Sequence, residues 1–160
     1  MKSFVIGGTL AALACSMVPA SAQDIVGSWK QTTFYQKVVA TGEKRILWGS
    51  EKVTGRVIYT KEGTFCSMGT GTDRKQAGGV ATDEERLALF KTMYAYCGTY
   101  KVEGDKLRLQ ADVAWTPAWL KVQHDPTIKT DGKTLNLTTT PFKSQLDGVE
   151  VIAITEYTKE

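Results

Sequence analysis

Apolar and polar positions alternate along most of this chain, with one interruption. Ile25–Gln36 (IVGSWKQTTFYQ) is rich in β-branched and aromatic residues, keeps Ile25, Gly27 and Trp29 on one face, and predicts a first strand. Lys37–Thr54 is less regular. Ile46, Leu47 and Trp48 anchor it while Gly42 and Gly49 break it, so it predicts a long connection with at most a short strand. Gly55–Met68 predicts a hairpin about a Lys61-Glu62-Gly63 turn, whose glycine stands where a bulge-type loop needs positive φ. Lys106–Trp115 puts Leu107, Leu109, Ala111, Val113 and Trp115 on one face and Arg108, Gln110 and Asp112 on the other. Pro117 interrupts, Trp119–His124 resumes the strand pattern, and Leu135 and Leu137 continue it. Gly148–Thr158 is apolar on both faces, with Val149, Val151 and Ala153 opposed by Ile152 and Ile154. Glu103-Gly104-Asp105, Asp131-Gly132 and Asp147-Gly148 are turn signals between strands.

The interruption begins at Thr82. Thr82 and Glu85 form a capping-box pattern, in which each side chain can bond the other's backbone N–H. Asp83, Glu84 and Glu85 place negative charge at the positive end of a helix dipole. Leu87, Phe90, Tyr94 and Cys97 then recur at helical spacing, with Leu89 and Met93 beside them, and Gly98 is placed to end the helix in a left-handed conformation. The spacing predicts a helix over 82–97, followed by a strand through Tyr100 and Val102. Its natural place is over the outer face of the C-terminal strand. A meander of about seven or eight antiparallel strands either exposes two edges or closes. Closure removes the edges, and eight strands enclose either packed side chains or one small ligand.

The N-terminus reads separately. Lys2 is a positive start, Phe4–Ala14 is an apolar run too short to span a bilayer, and Ala20-Ser21-Ala22 is a small-residue cleavage site. Residues 1–22 therefore read as a secretory signal peptide and 23–160 as a single domain, periplasmic or secreted. Cys15 invites a lipid-anchor reading, but Ala12-Leu13-Ala14 before it is a poor lipobox. The formal net charge is +3, with no basic run beyond Lys44-Arg45 and Arg74-Lys75. That distribution argues against a nucleic-acid partner or a polybasic membrane patch, and no later apolar run has membrane-spanning length. Cys66 and Cys97 remain after export. Export permits a disulfide between them, while free cysteines also pack well as small apolar side chains, so both states stay open at this point.

No catalytic motif stands out. Gly69–Gly79 (GTGTDRKQAGG) lacks the terminal G-K-[ST] of a phosphate-cradling loop and reads as a mobile loop. There is no G-x-S-x-G or H-E-x-x-H pattern. Cys97 with His124, the only histidine, lacks a third group to orient it. A lone histidine without cysteine or carboxylate partners at suitable spacing makes no metal site, and no cofactor is indicated. Asp112 reads as solvated. Asn136-Leu137-Thr138 fits a glycosylation sequon but lies in a strand behind a bacterial-type signal. His124 shares parity with Leu120 and Val122, so it either points into the barrel as a hydrogen-bonding or acid–base group or sits solvated at the rim.

Gly27-Ser28-Trp29 resembles the G-x-W signature of lipocalins. GRVIYTKEG (55–63), ATDEERLALFKTMYAYCGTY (81–100), DVAWTPAW (112–119) and the subsequent DGKTLNLTTTP together resemble the bacterial lipocalin-like domain family over about Gly27–Tyr157. The resemblance implies a mainly β, up-and-down, antiparallel lipocalin-like barrel of about eight strands with a helix inserted mid-chain. It carries no catalytic residue across, and Lys121-Val122 stand where similar domains have Gly-Thr.

Within such a barrel Trp29 reads as a plug of the closed end. Tyr59, Phe65, Tyr100, Trp115, Trp119 and His124 are the candidate ligand-binding set, either lining a pocket or filling the interior. The expected function is an exported binding protein for a small hydrophobic molecule held inside the barrel, with the Gly69–Gly79 loop near its mouth. An isomerase or cyclase using a tyrosine or His124, and an exported inhibitor-like barrel with a protein partner, are the alternatives.

Overall fold

The computed structural model of the chain describes residues 25–160 apart from 76, 77, 122, 145 and 146. The signal-peptide and Cys15 readings lie outside the described residues. The strands are β1 (Gly27–Val38), β2 (Lys44–Arg45), β3 (Lys52–Tyr59), β4 (Thr64–Gly71), β5 (Met93–Glu103), β6 (Lys106–Ala114), β7 (Gln123–His124), β8 (Thr127–Thr130), β9 (Thr134–Thr138), β10 (Phe142–Lys143) and β11 (Glu150–Lys159). A helix, α1 (Asp83–Lys91), lies between β4 and β5. Each long strand pairs antiparallel with the next, and the last pairs with the first from Trp29↔Lys159 to Val38↔Val151. With β7 and β8 both lying on β6, the result is a closed eight-stranded barrel, the architecture that the alternation predicts.

The turns fall where the glycines are. Gly63, Gly104, Gly132 and Gly148 all have positive φ, a conformation open to glycine at little cost. The closed end is packed solid. Ile25, Trp29, Val57, Tyr59, Phe65, Leu107, Leu109, Ile128 and Leu135 are all buried there. Trp29 is fully buried, donates its indole N–H to Ile25 O at 2.7 Å, and lies 4.3 Å beneath Lys159 Nζ. The plug reading of Trp29 has a concrete form: a ring held by a hydrogen bond to the residues leading into its strand and by a cation from the last strand.

Five expectations need correction. The helix ends at Lys91, not at Cys97. Its capping box is present, with Thr82 and Glu85 each bonding the other's backbone N–H. The Thr92 hydroxyl, however, bonds back to the Ala88 and Leu89 carbonyls at 3.1 Å, and the chain then enters β5. Tyr94, Tyr96, Gly98, Tyr100 and Val102 also obey a period of two, and ladders to β4 and β6 on both sides outweigh a helix with no buried residue. Gly98 is thus a strand residue pressed against β6. A Cβ there would meet Gln110 O at 2.0 Å.

Second, the helix packs on β5 and not over β11; Leu87 and Phe90 stay about half exposed. Third, β6 carries a bulge. Gly98 faces Ala111 and Cys97 faces Val113, so Asp112 is the extra residue and Val113 turns outward, 64% exposed. Fourth, Trp119 sits in a short 3₁₀ turn, Pro117–Lys121, and the strand pattern resumes only at Gln123. Fifth, Gly69–Gly71, read as the start of a loop, belongs to β4.

Cys66 and Cys97 are directly opposed across β4 and β5, with Cα atoms 4.1 Å apart, and are bonded. The bond lies on the outer wall, because Phe65 and Ser67 on either side of Cys66 point inward. Replacing both cysteines by alanine is expected to lower stability by roughly 3–4 kcal/mol on the chain-entropy estimate for a loop of this length. Urea midpoints of the two proteins measure it, and an unchanged midpoint would remove the disulfide's assigned role.

Candidate functional site

Two glycines decide what the barrel holds at mid-height. Gln31, Gly55, Gly69 and Tyr94 face one another in register across β1, β3, β4 and β5. Neither glycine could carry a side chain. A Cβ on Gly55 would lie 2.2 Å from Gln31 Oε1, and one on Gly69 would lie 2.5 Å from that oxygen and 2.6 Å from the Tyr94 ring. The space opposite the glycines is filled by the Gln31 amide and the Tyr94 phenol, whose hydroxyl donates to Gln31 Oε1 at 2.8 Å. Ser67 and Tyr157, both buried, and Tyr96 complete this polar layer.

The layer is neutral. The buried polar side chains among the described residues are Gln31, Gln36, Ser67 and Ser144, none of them charged. Burial pushes the Tyr94, Tyr96 and Tyr157 hydroxyls above their ordinary range, so all three stay protonated at physiological pH. Ser67 Oγ lies near enough to the Tyr94 and Tyr96 hydroxyls to offset part of that shift for those two, but its geometry falls short of a hydrogen bond.

Above the layer the lining becomes aromatic. The Phe34, Trp48 and Tyr94 rings form a triangle with centroids 5.2–6.3 Å apart. Trp48 comes from the irregular connection after β2, and its Cβ stands 3.1 Å from where a Cβ on Gly71 would be. On the opposite side the 3₁₀ turn delivers Trp119. Its ring lies 4.9 Å from Tyr96, 5.5 Å from His124, 6.2 Å from Trp115 and 6.3 Å from Tyr94. Trp115 in turn lies 4.6 Å from Phe90 of the helix. Phe34, Trp48, Tyr96, Trp115, Trp119 and His124 are all half-buried, which marks this end of the barrel as the open one.

The six side chains singled out from the sequence therefore divide. Tyr59 and Phe65 are 2% exposed and stack within the closed-end core. Tyr100 packs edge-on to Tyr59 at 4.9 Å and donates its hydroxyl to Thr60 O. Trp115, Trp119 and His124 come together at the open end. Phe34, Trp48, Tyr94, Tyr96, Gln31 and Ser67 join them without having been singled out. The period-two pattern starting at Met93 marks Tyr94 and Tyr96 as inward-facing. The mid-strand glycines Gly55 and Gly69 are the signal for whatever fills the space between them.

Five buried side-chain atoms find no hydrogen-bond partner within the protein among the described residues: Gln31 Nε2, Gln36 Oε1, Ser67 Oγ, Trp115 Nε1 and His124 Nε2. All five belong to the polar layer or the mouth, and none to the closed end. A shallow depression of about 660 Å³ also exists beside the β1 bulge, but Lys30, Lys44, Glu51, Lys52 and Glu156 make its lining a charged one. No group of three or more metal-ligating side chains occurs among the described residues, and no described helix is long and apolar enough to cross a membrane.

Burial holds the His124 imidazole below its ordinary pKa, with the neighbouring Asp125 carboxylate opposing the shift. The folded protein thus favours neutral His124. That stabilisation is complete above about pH 6.5 and is lost as pH falls through the lowered folded-state value. The urea midpoint is expected to drop between pH 7.5 and pH 5, and to drop less in His124→Gln; equal drops would remove His124 as a cause.

Comparison with curated proteins returns no significant match. The lipocalin-like domain family matches residues 26–155, from just before β1 to within β11, and so spans the closed eight-stranded barrel. The chain belongs to the lipocalin-like domain family.

Proposed function

We propose that this protein is an exported binding protein that holds a small hydrophobic molecule in the open half of its barrel, between Phe34 and Trp48 on one side and Trp115, Trp119 and His124 on the other. The observation that carries the reading is the asymmetry of the interior. The closed end is packed solid, whereas the mouth is lined by half-buried rings over a floor of unpartnered polar atoms. Binding sites for small molecules combine apolar walls with a few placed polar groups in this way. Membership of the lipocalin-like family supports binding inside a barrel, and the outer-wall disulfide accords with an oxidising compartment.

Export and binding are tested separately. Protein recovered from the exported fraction is expected to begin at Gln23, and retention of Met1–Ala22 would contradict export. N-phenyl-1-naphthylamine, a neutral apolar dye, is expected to brighten saturably on addition of the protein while tryptophan emission is quenched. A linear, non-saturating response would contradict a binding site.

A further inference from the structure

We infer that the bound molecule is neutral and amphipathic, with an apolar, planar body between the aromatic walls and a carbonyl-type acceptor, as in a ketone, amide or ester, received by Gln31 Nε2 and Ser67 Oγ. The inference rests on the binding reading above and specifies its ligand. Gln31 is 1% exposed and Ser67 is 3% exposed, so neither polar group is satisfied by bulk water. Gln31 spends its oxygen on the Tyr94 hydroxyl, which leaves an amide NH₂ with two donors and no acceptor in the protein. Ser67, two residues before Gly69 on β4, adds a second buried hydroxyl without a hydrogen-bond partner. Two unpartnered donor groups in the same interior layer match a single oxygen with two lone pairs.

Buried polar groups without partners are rare in native proteins, because each keeps the cost of its lost hydration. Here the Gln31 oxygen lies where a Cβ on Gly55 or Gly69 would stand, with the Met68 carbonyl closing the same space at Gly55 and the Tyr94 ring at Gly69. An aliphatic side chain at 31 would fill the same space without leaving a buried donor unpaired. The arrangement selects for charge as well as shape. Among the described residues the polar layer contains no lysine, arginine or protonated histidine, so a carboxylate would be desolvated against neutral groups with nothing to balance it. A plain hydrocarbon would enter the aromatic walls but leave the donors unpaired.

The test is competition against bound N-phenyl-1-naphthylamine by three probes of similar shape: 2-acetylnaphthalene, 2-isopropylnaphthalene and 2-naphthoate. The ketone is expected to bind at least tenfold more tightly than the hydrocarbon, although it is the less hydrophobic of the two, with the carboxylate weakest. Gln31→Met should bring the ketone-to-hydrocarbon ratio close to one. Ser67→Ala, a smaller change, should lower it severalfold, which keeps the test open if Gln31→Met does not fold. Affinities that follow hydrophobicity alone would overturn the inference and leave the binding reading standing, with ordered water as the partner of Gln31. Preference for naphthoate would overturn the neutrality of the ligand. Failure of N-phenyl-1-naphthylamine itself to bind would remove the binding reading and this inference together.

Discussion

Trp119→Ala is expected to weaken N-phenyl-1-naphthylamine binding at least tenfold while changing stability little. Trp119 is the hub of the mouth, within 6.3 Å of Tyr94, Tyr96, Trp115 and His124. Aromatic contacts of this kind contribute about 0.5–1.5 kcal/mol each beyond the area they bury, and a loss of about 1.4 kcal/mol is a tenfold change in affinity. The ring is carried by a short 3₁₀ turn and is only half-buried, so its removal does not open a cavity in the closed-end core. Trp119→Phe should recover most of the affinity. Dye titrations with urea midpoints on the same samples separate the two effects. A midpoint that collapses with the affinity would make Trp119 a structural residue instead.

Trp29→Ala should do the reverse in kind and more in magnitude. Trp29 has no exposed surface, its indole N–H is bonded to Ile25 O, and Lys159 caps its ring. Truncating a buried tryptophan costs about 3–5 kcal/mol. That is a large share of the roughly 5–15 kcal/mol by which a typical domain is stable. The Lys159 ammonium, which also donates to Val26 O, would lose its aromatic partner at the point where the last strand closes on the first. Denaturant unfolding at pH 7.5 measures the effect. A loss below about 1 kcal/mol, less than the fully buried side chain requires, would mean that the closed end is held by other contacts.

The barrel was legible in the sequence because its determinants are local. The hairpin from β3 to β4 is written in GRVIYTKEGTF, and the later turns are announced by Gly104, Gly132 and Gly148, each of which takes positive φ. What could not be read locally is where the pattern changes phase. Leu87, Phe90, Tyr94 and Cys97 fit a helix, while Tyr94, Tyr96, Gly98 and Tyr100 fit a strand. Only pairing with β4 and β6 decides between them. The bulge at Asp112 reverses the sides of Val113 and Ala114, and a second irregularity between Gln31 and Thr33 shifts the register of β1.

The site was half visible for the same reason. Trp115, Trp119 and His124 reach the mouth although the strand pattern assigned to them breaks at the bulge and the 3₁₀ turn. Tyr59, Phe65 and Tyr100 were chosen by the same aromatic criterion and stand at the other end. The polar layer depends on contacts between residues far apart in the chain. Gln31 and Tyr94 are 63 residues apart, and two glycines that read as ordinary strand breakers are what make room for them.

On the proposed function, ligand binding belongs to the open half of the barrel and not to its wall or its closed end. Backbone amide chemical-shift mapping during titration with N-phenyl-1-naphthylamine tests this most directly. Saturable shifts are expected at Gln31, Phe34, Trp48, Ser67, Tyr94, Tyr96, Trp119 and His124, with Ile25, Trp29, Leu107 and Ile128 unmoved. Shifts centred on the charged depression at Lys44, Glu51 and Lys52, or spread evenly through the closed end, would contradict it.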